Sequence, residues 1–118
     1  MEIRNRDRDA TPFTTADGST IRELIHPNDT AVRHQSLAEA TLPAGGATER
    51  HYHREAEELY LIQDGTGVME IDGESREVAL GDAILIPAGS WHQIVATSDL
   101  QFLCCCAPPY RHDDTFFT

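Results

Sequence analysis

Two histidines separated by one residue, His51 and His53, offer the first chemistry in this sequence. In an extended segment, side chains two apart leave the same face, so a strand here sets two imidazoles side by side and turns Tyr52 away. Glu58 follows at the head of the apolar run Glu58-Leu59-Tyr60-Leu61-Ile62, and His92 stands just after the turn residues Pro87-Ala88-Gly89. Three imidazoles and one carboxylate suit a divalent first-row transition metal such as Fe, Mn, Ni, Cu, Co or Zn, and are too rich in nitrogen for calcium or magnesium. The set holds no thiolate, which excludes a four-cysteine structural zinc site. Each residue also has an ordinary alternative. A His-X-His pair can sit on a surface strand, Glu58 ends an acidic run with Glu55 and Glu57, and His92 beside Trp91 can be a hydrogen-bonded core histidine.

Bringing such groups together takes short extended segments joined by tight turns. Residues 33–42 alternate in the two-residue period of a strand and stop at Pro43-Ala44-Gly45-Gly46. Further runs at 48–52, 59–63, 67–71, 74–80, 83–86, 92–96 and 100–106 bring the expectation to seven or eight strands. Asp72-Gly73 between two alternating runs predicts a two-residue hairpin, and Asp64-Gly65, Gly81-Asp82 and Pro87-Ala88-Gly89 mark other sharp turns. No stretch carries a long helical period; residues 54–58 make at most a turn. Many short strands at this spacing predict an all-β sandwich or small barrel. With 118 residues there is room for one domain, read as a β-domain over 19–118 preceded by a flexible, polar N-terminal arm over 1–18 that ends at Asp17-Gly18.

These motifs resemble the cupin superfamily of small β-barrels. Its first motif runs glycine, five residues, His-X-His, three or four residues, Glu, six residues, glycine, matched here by Gly45, His51, His53, Glu58 and Gly65. Its second runs glycine, five residues, Pro-X-Gly, two residues, His, three residues, Asn, matched by Gly81, Pro87, Gly89 and His92; Ala96 replaces the final Asn. That Asn is not a ligand in the family, so its loss bears on strand packing. The resemblance implies a jelly-roll-like cupin β-barrel in which His51, His53, Glu58 and His92 hold one divalent transition metal. Four protein ligands leave positions of a five- or six-coordinate ion open. The strand period adds Tyr60 and Ile62 on the Glu58 face and Ile94 and Ala96 on the His92 face, giving a mostly apolar pocket with Tyr60 as candidate catalytic proton donor or acceptor. Gln63 falls on the opposite face. Cys104 and Cys106 share a face and are read as packing groups or weak extra ligands.

Function is narrowed by charge and composition. A net charge of −11, with nine Arg and no Lys, argues against nucleic acid and membrane surfaces as partners. An apolar share of 40% supports a packed core. Residues 1–10 lack the apolar stretch of a signal peptide, and the three cysteines are consecutive, Cys104 to Cys106, so a cytoplasmic, reduced protein is expected. The resemblance implies a metal-dependent enzyme for a small organic acid or similar chelating molecule, foremost a dioxygenase-type oxidoreductase. The alternatives are a non-catalytic metal or ligand sensor, or a sugar isomerase or epimerase using Glu49, Glu57 or Tyr60 as base. Strands 83–86 and 100–106 are apolar on both faces, which predicts a homodimer.

Overall fold

The Asp72-Gly73 pair forms the tight turn its residues demand: both lie at positive φ, 48° and 88°, and join two antiparallel strands in the register Ile71↔Glu74 to Thr66↔Ala79. Similar turns punctuate the rest of the chain. The computed structural model describes residues 1–15 and 17–118; Ala16, inside the segment read as an arm, lies outside the described residues. Among the described residues there are eleven strands: β1 (Phe13–Thr14), β2 (Thr20–Ile25), β3 (Ser36–Leu42), β4 (Tyr52–His53), β5 (Glu57–Asp64), β6 (Thr66–Ile71), β7 (Glu74–Ala79), β8 (Ala83–Ile86), β9 (His92–Ala96), β10 (Leu100–Ala107) and β11 (Thr115–Phe116). A single 3-10 turn, His112–Asp114, precedes the last strand.

One sheet runs β1-β2-β3-β10-β5-β8, and a second runs β7-β6-β9. Isolated bridges Ala47↔Val95 and His51↔His92 extend the second sheet toward the small β4–β11 pair. The two sheets face each other in the jelly-roll manner. Their ladders stay separate, so the closed barrel implied by the resemblance is in fact two wrapped sheets. The shared core comes from both: Ala40, Leu42, Tyr60, Ile62, Ile86, Leu100 and Phe102 meet Met69, Val78, Ile94 and Ala96. Strand β5 shows the cause, with Glu58, Tyr60 and Ile62 inward and Glu57, Leu59, Leu61 and Gln63 outward. Ala96 is buried, and its backbone bonds Gly45 and Gly46. A larger Asn would have to find space in that bracket.

Gly65 shows why a glycine ends β5. Its φ is +85°, and a Cβ there would lie 2.0 Å from the carbonyl oxygen of Asp99. The expected strand over 48–52 is interrupted. Thr48 turns inward, its hydroxyl accepting the Ile94 N–H and its carbonyl the Gln93 side chain, so regular pairing resumes only at His51. The segment over 1–18 contributes β1 to the large sheet through Phe13↔Ile21 and Thr14↔Thr20. Arg6 grips the buried Glu39 carboxylate of β3 with two 2.7 Å bonds.

Candidate metal centre

His51 and His92 are a hydrogen-bonded antiparallel pair, each N–H meeting the other's carbonyl oxygen at 3.1 and 2.8 Å. Their side chains therefore leave the same face, and the rings lie 4.3 Å apart between centroids. Two residues on, His53 projects to that face as the strand period requires, 5.0 Å from the His51 ring and 5.5 Å from the His92 ring. Glu58 reaches the group from β5: its Oε1 lies 3.3 Å from His53 Nε2 and 3.4 Å from His92 Nε2. All four side chains are buried. One ligand atom each from His51, His53 and His92 lies within 4.8 Å of the others, close enough to hold a single ion.

The outer nitrogens are fixed by backbone carbonyls. His51 Nδ1 faces Glu49 O at 2.6 Å, His92 Nδ1 faces Ser90 O at 3.0 Å, and His53 Nδ1 faces Asp114 O at 3.3 Å. With Nδ1–H donating outward, each Nε2 presents a lone pair inward, the arrangement a metal ligand needs. Glu58 Oε1 and His92 Nε2 are buried with no hydrogen-bond partner. Two such groups left bare in a dry site are costly unless a cation or proton joins them, so these donors fit a divalent transition metal. Protonation also acts here. Burial raises the Glu58 pKa, but the close approach of His53 and His92 outweighs it and holds the carboxyl well below its ordinary range. Burial lowers the His53 pKa, yet the Glu58 carboxylate 3.3 Å away brings it above its ordinary value. Burial, then the neighbouring His92, lower that of His51.

Asp114 holds the loop that carries the chain from His53 to Glu58. Its carboxylate accepts the N–H groups of Arg54, Glu55 and Ala56 at 3.1 to 3.3 Å. Sequence reasoning missed this residue, because a buried acid in a C-terminal His-Asp-Asp run carries no spacing signal. Cys106 was weighed as packing or weak ligand; its Sγ donates to Glu58 Oε2 at 3.2 Å, and burial raises the thiol pKa, so it stays protonated. Cys104 lines the same cavity and Cys105 faces outward toward Gln35.

The cavity beside the imidazoles offers about 50 Å³ to the centres of water molecules, room for roughly three to five of them. Tyr60 lines it, with its ring 4.5 Å from that of Phe102 and 6.3 Å from that of His92. Burial and the nearby Glu58 charge raise its pKa well above normal, so the phenol keeps its proton. Ile62, Ile94 and Ala96, expected on the pocket wall, pack in the core instead. The wall is completed by residues outside the two motifs, among them Asp17, Ser19, Glu23, His26, Ser36 and Tyr110. Glu49 and Glu57 are exposed and do not line it. Trp91 and the aromatic tail close the flank: Tyr52 meets Trp91 edge-on and stacks on Phe116, and Phe117 lies 5.8 Å from His51.

Residues 38–106 match the cupin domain family. The chain is 48% identical over 106 residues to an uncharacterized protein of Methanocaldococcus jannaschii, covering 88% of this chain and 85% of the other. It is 35% identical over 75 residues to the dimethylsulfoniopropionate lyase DddW of Ruegeria pomeroyi, covering 64% of this chain and 49% of that protein. Pac13 of Streptomyces, a nucleoside dehydratase, superposes with a TM-score of 0.82 at 12% identity over 98% of this chain and 89% of its own, a likeness of fold. The two glycine-spaced motifs, the facing sheets and the family match agree: this chain belongs to the cupin family.

Proposed function

We propose that the chain is a metal-dependent enzyme acting on a small organic molecule, with His51, His53, Glu58 and His92 holding one divalent transition metal. The observation that carries this reading is the pair of buried, partnerless atoms, Glu58 Oε1 and His92 Nε2, beside three imidazoles oriented by backbone carbonyls. Such an ion supplies Lewis acidity and, if redox active, access to dioxygen chemistry. The protein's own groups do the rest. Fixed rings keep the donor set in place, the enclosed cavity limits water, and Tyr60 offers a neutral phenol as hydrogen-bond or proton donor to a bound molecule.

Within that reading, dioxygenase-type oxidation is the specific reaction proposed from the ligand set. A second reading, elimination without dioxygen, is supported by the activities named for two similar proteins, a lyase and a nucleoside dehydratase. Sugar isomerisation has less to work with, since of the three bases expected for it Glu49 and Glu57 are exposed away from the cavity and Tyr60 keeps its proton. The chain is further proposed to act in the cytoplasm as a homodimer. The test is turnover by protein purified without an affinity tag and loaded in turn with Fe(II), Mn(II), Co(II), Ni(II), Cu(II) and Zn(II). Oxygen uptake and product formation are followed together across a substrate panel. Metal-dependent turnover that disappears in His53→Ala supports the enzyme reading. Product formed with oxygen consumed assigns oxidation, and product formed anaerobically assigns elimination. Metal-replete protein that turns over nothing in the panel assigns a binding role instead.

A further inference from the structure

The cavity beside the imidazoles is lined by three carboxylates, Asp17, Glu23 and Glu58, and among the described residues by no Arg. Lys is absent from the chain. Glu58 is engaged with the imidazoles. Among the described residues the other two have no Arg partner. Asp17 Oδ1 accepts the Thr15 hydroxyl and, at 2.9 and 2.6 Å, the N–H and hydroxyl of Ser19; among the described residues nothing donates to its Oδ2. The Asp17 carbonyl oxygen accepts the Glu49 N–H, which ties this turn to the segment leading into His51. Glu23 Oε1 lies 3.9 Å from His26 Nδ1. That nitrogen already accepts the Asn28 N–H while Nε2 faces the Tyr110 carbonyl oxygen at 2.8 Å, so Nδ1 has no proton to give Glu23.

We infer that the cavity selects a small ligand bearing a positively charged group, an amine, ammonium or sulfonium, met by Asp17 and Glu23. This rests on the metal-site reading above and names its substrate class, in place of the organic acid expected from sequence. The buried, partnerless Glu58 Oε1 in the same cavity puts the proposed metal, and with it the chelating end of a ligand, beside these two carboxylates. The aromatic rings of Phe13, Phe102 and Tyr110 on the wall also suit a cation. An anionic tail here would face two half-buried carboxylates with, among the described residues, no Arg or Lys on the cavity wall, where charges are screened less than in open water.

The probes are three hydroxamates of matched length with cationic, neutral and anionic tails: β-alanine hydroxamate, butyrohydroxamate and succinic monohydroxamate. Each is titrated calorimetrically into Zn-loaded protein whose metal content is measured first. The cationic probe is expected to bind tenfold or more tighter than the anionic one, with the neutral probe between and the spread narrowing as salt rises. Asp17→Asn with Glu23→Gln compresses the spread, and each single variant compresses it in part. Glu74→Gln with Glu77→Gln, which removes the same charge from the exposed β7, leaves it intact. Equal affinities, preference for the anionic probe, or equal compression by the β7 pair would overturn the inference while leaving the metal reading standing. Protein that takes up no metal removes both.

Discussion

His53 and Glu58, 3.3 Å apart, set how protons and metal compete for the site. The depressed Glu58 pKa contributes stability above its ordinary value of 4.5 and loses it as pH falls toward the folded value. The raised His53 pKa contributes stability below its ordinary 6.5 and loses it as pH rises through the folded value. Both contributions are present between about 4.5 and 6.5, while the lowered His51 pKa costs stability as pH falls below 6.5, so metal-free protein should melt at its highest temperature toward the upper end of that window. Stabilisation by added Zn(II) should grow above that window, as His53 surrenders its proton. Scanning calorimetry with and without Zn(II) from pH 4 to 8 checks this, and a Zn(II) effect largest near pH 5 would refute it. The candidate ligand histidines were legible in sequence because two apart on a strand and a Pro-X-Gly turn before His92 are local signals. Asp17 and Glu23 were not, since their role comes from a cavity formed only when distant strands meet.

At the scale of elements, the loop between His53 and Glu58 depends on Asp114. Asp114→Ala should strip three N–H groups of their acceptor, costing about 1–3 kcal/mol in chemical denaturation, and weaken metal binding roughly ten- to a hundredfold. Unchanged metal affinity in that variant would show the loop to be held by other means. The core joining the two sheets makes a separate claim. Phe102, 1% exposed on β10 and part of the shared core, should cost about 3–5 kcal/mol when cut to Ala, read as a lower denaturation midpoint. The β6–β7 hairpin was readable from Asp72-Gly73 because a two-residue turn of that kind needs positive φ. Strand β2 was not, because every residue after Thr20 is half-buried and the two-residue contrast is lost. Strand β11 has two residues, too few for any period, and its partner β4 is as short. Asp114 lies 61 positions from His53, a distance that no local pattern spans.

For the whole molecule, the outer face of β5 and β8 carries exposed Leu59, Leu61 and Leu85, with Leu59 and Leu85 directly opposite each other. Leu85 belongs to strand 83–86, one of the two whose apolar faces predict a homodimer, and Leu59 and Leu61 widen the same patch. Sedimentation velocity should find twice the single-chain mass at micromolar concentration, strengthened by salt because each chain carries a charge of −11. Leu59→Glu with Leu85→Glu should yield single chains; a wild-type protein already sedimenting as single chains would end the proposal. The cupin motifs imply that the four candidate ligands share one metal, while the pocket's acidity emerges only from tertiary structure. The most direct test of the central claim is the metal content per chain after saturation with Zn(II) and extensive dialysis, in wild type and in His53→Ala. The account predicts one ion per chain in the first, and in the second binding weakened enough for dialysis to remove most of it. A wild-type chain that retains none, or a variant that holds the ion as tightly, would contradict it.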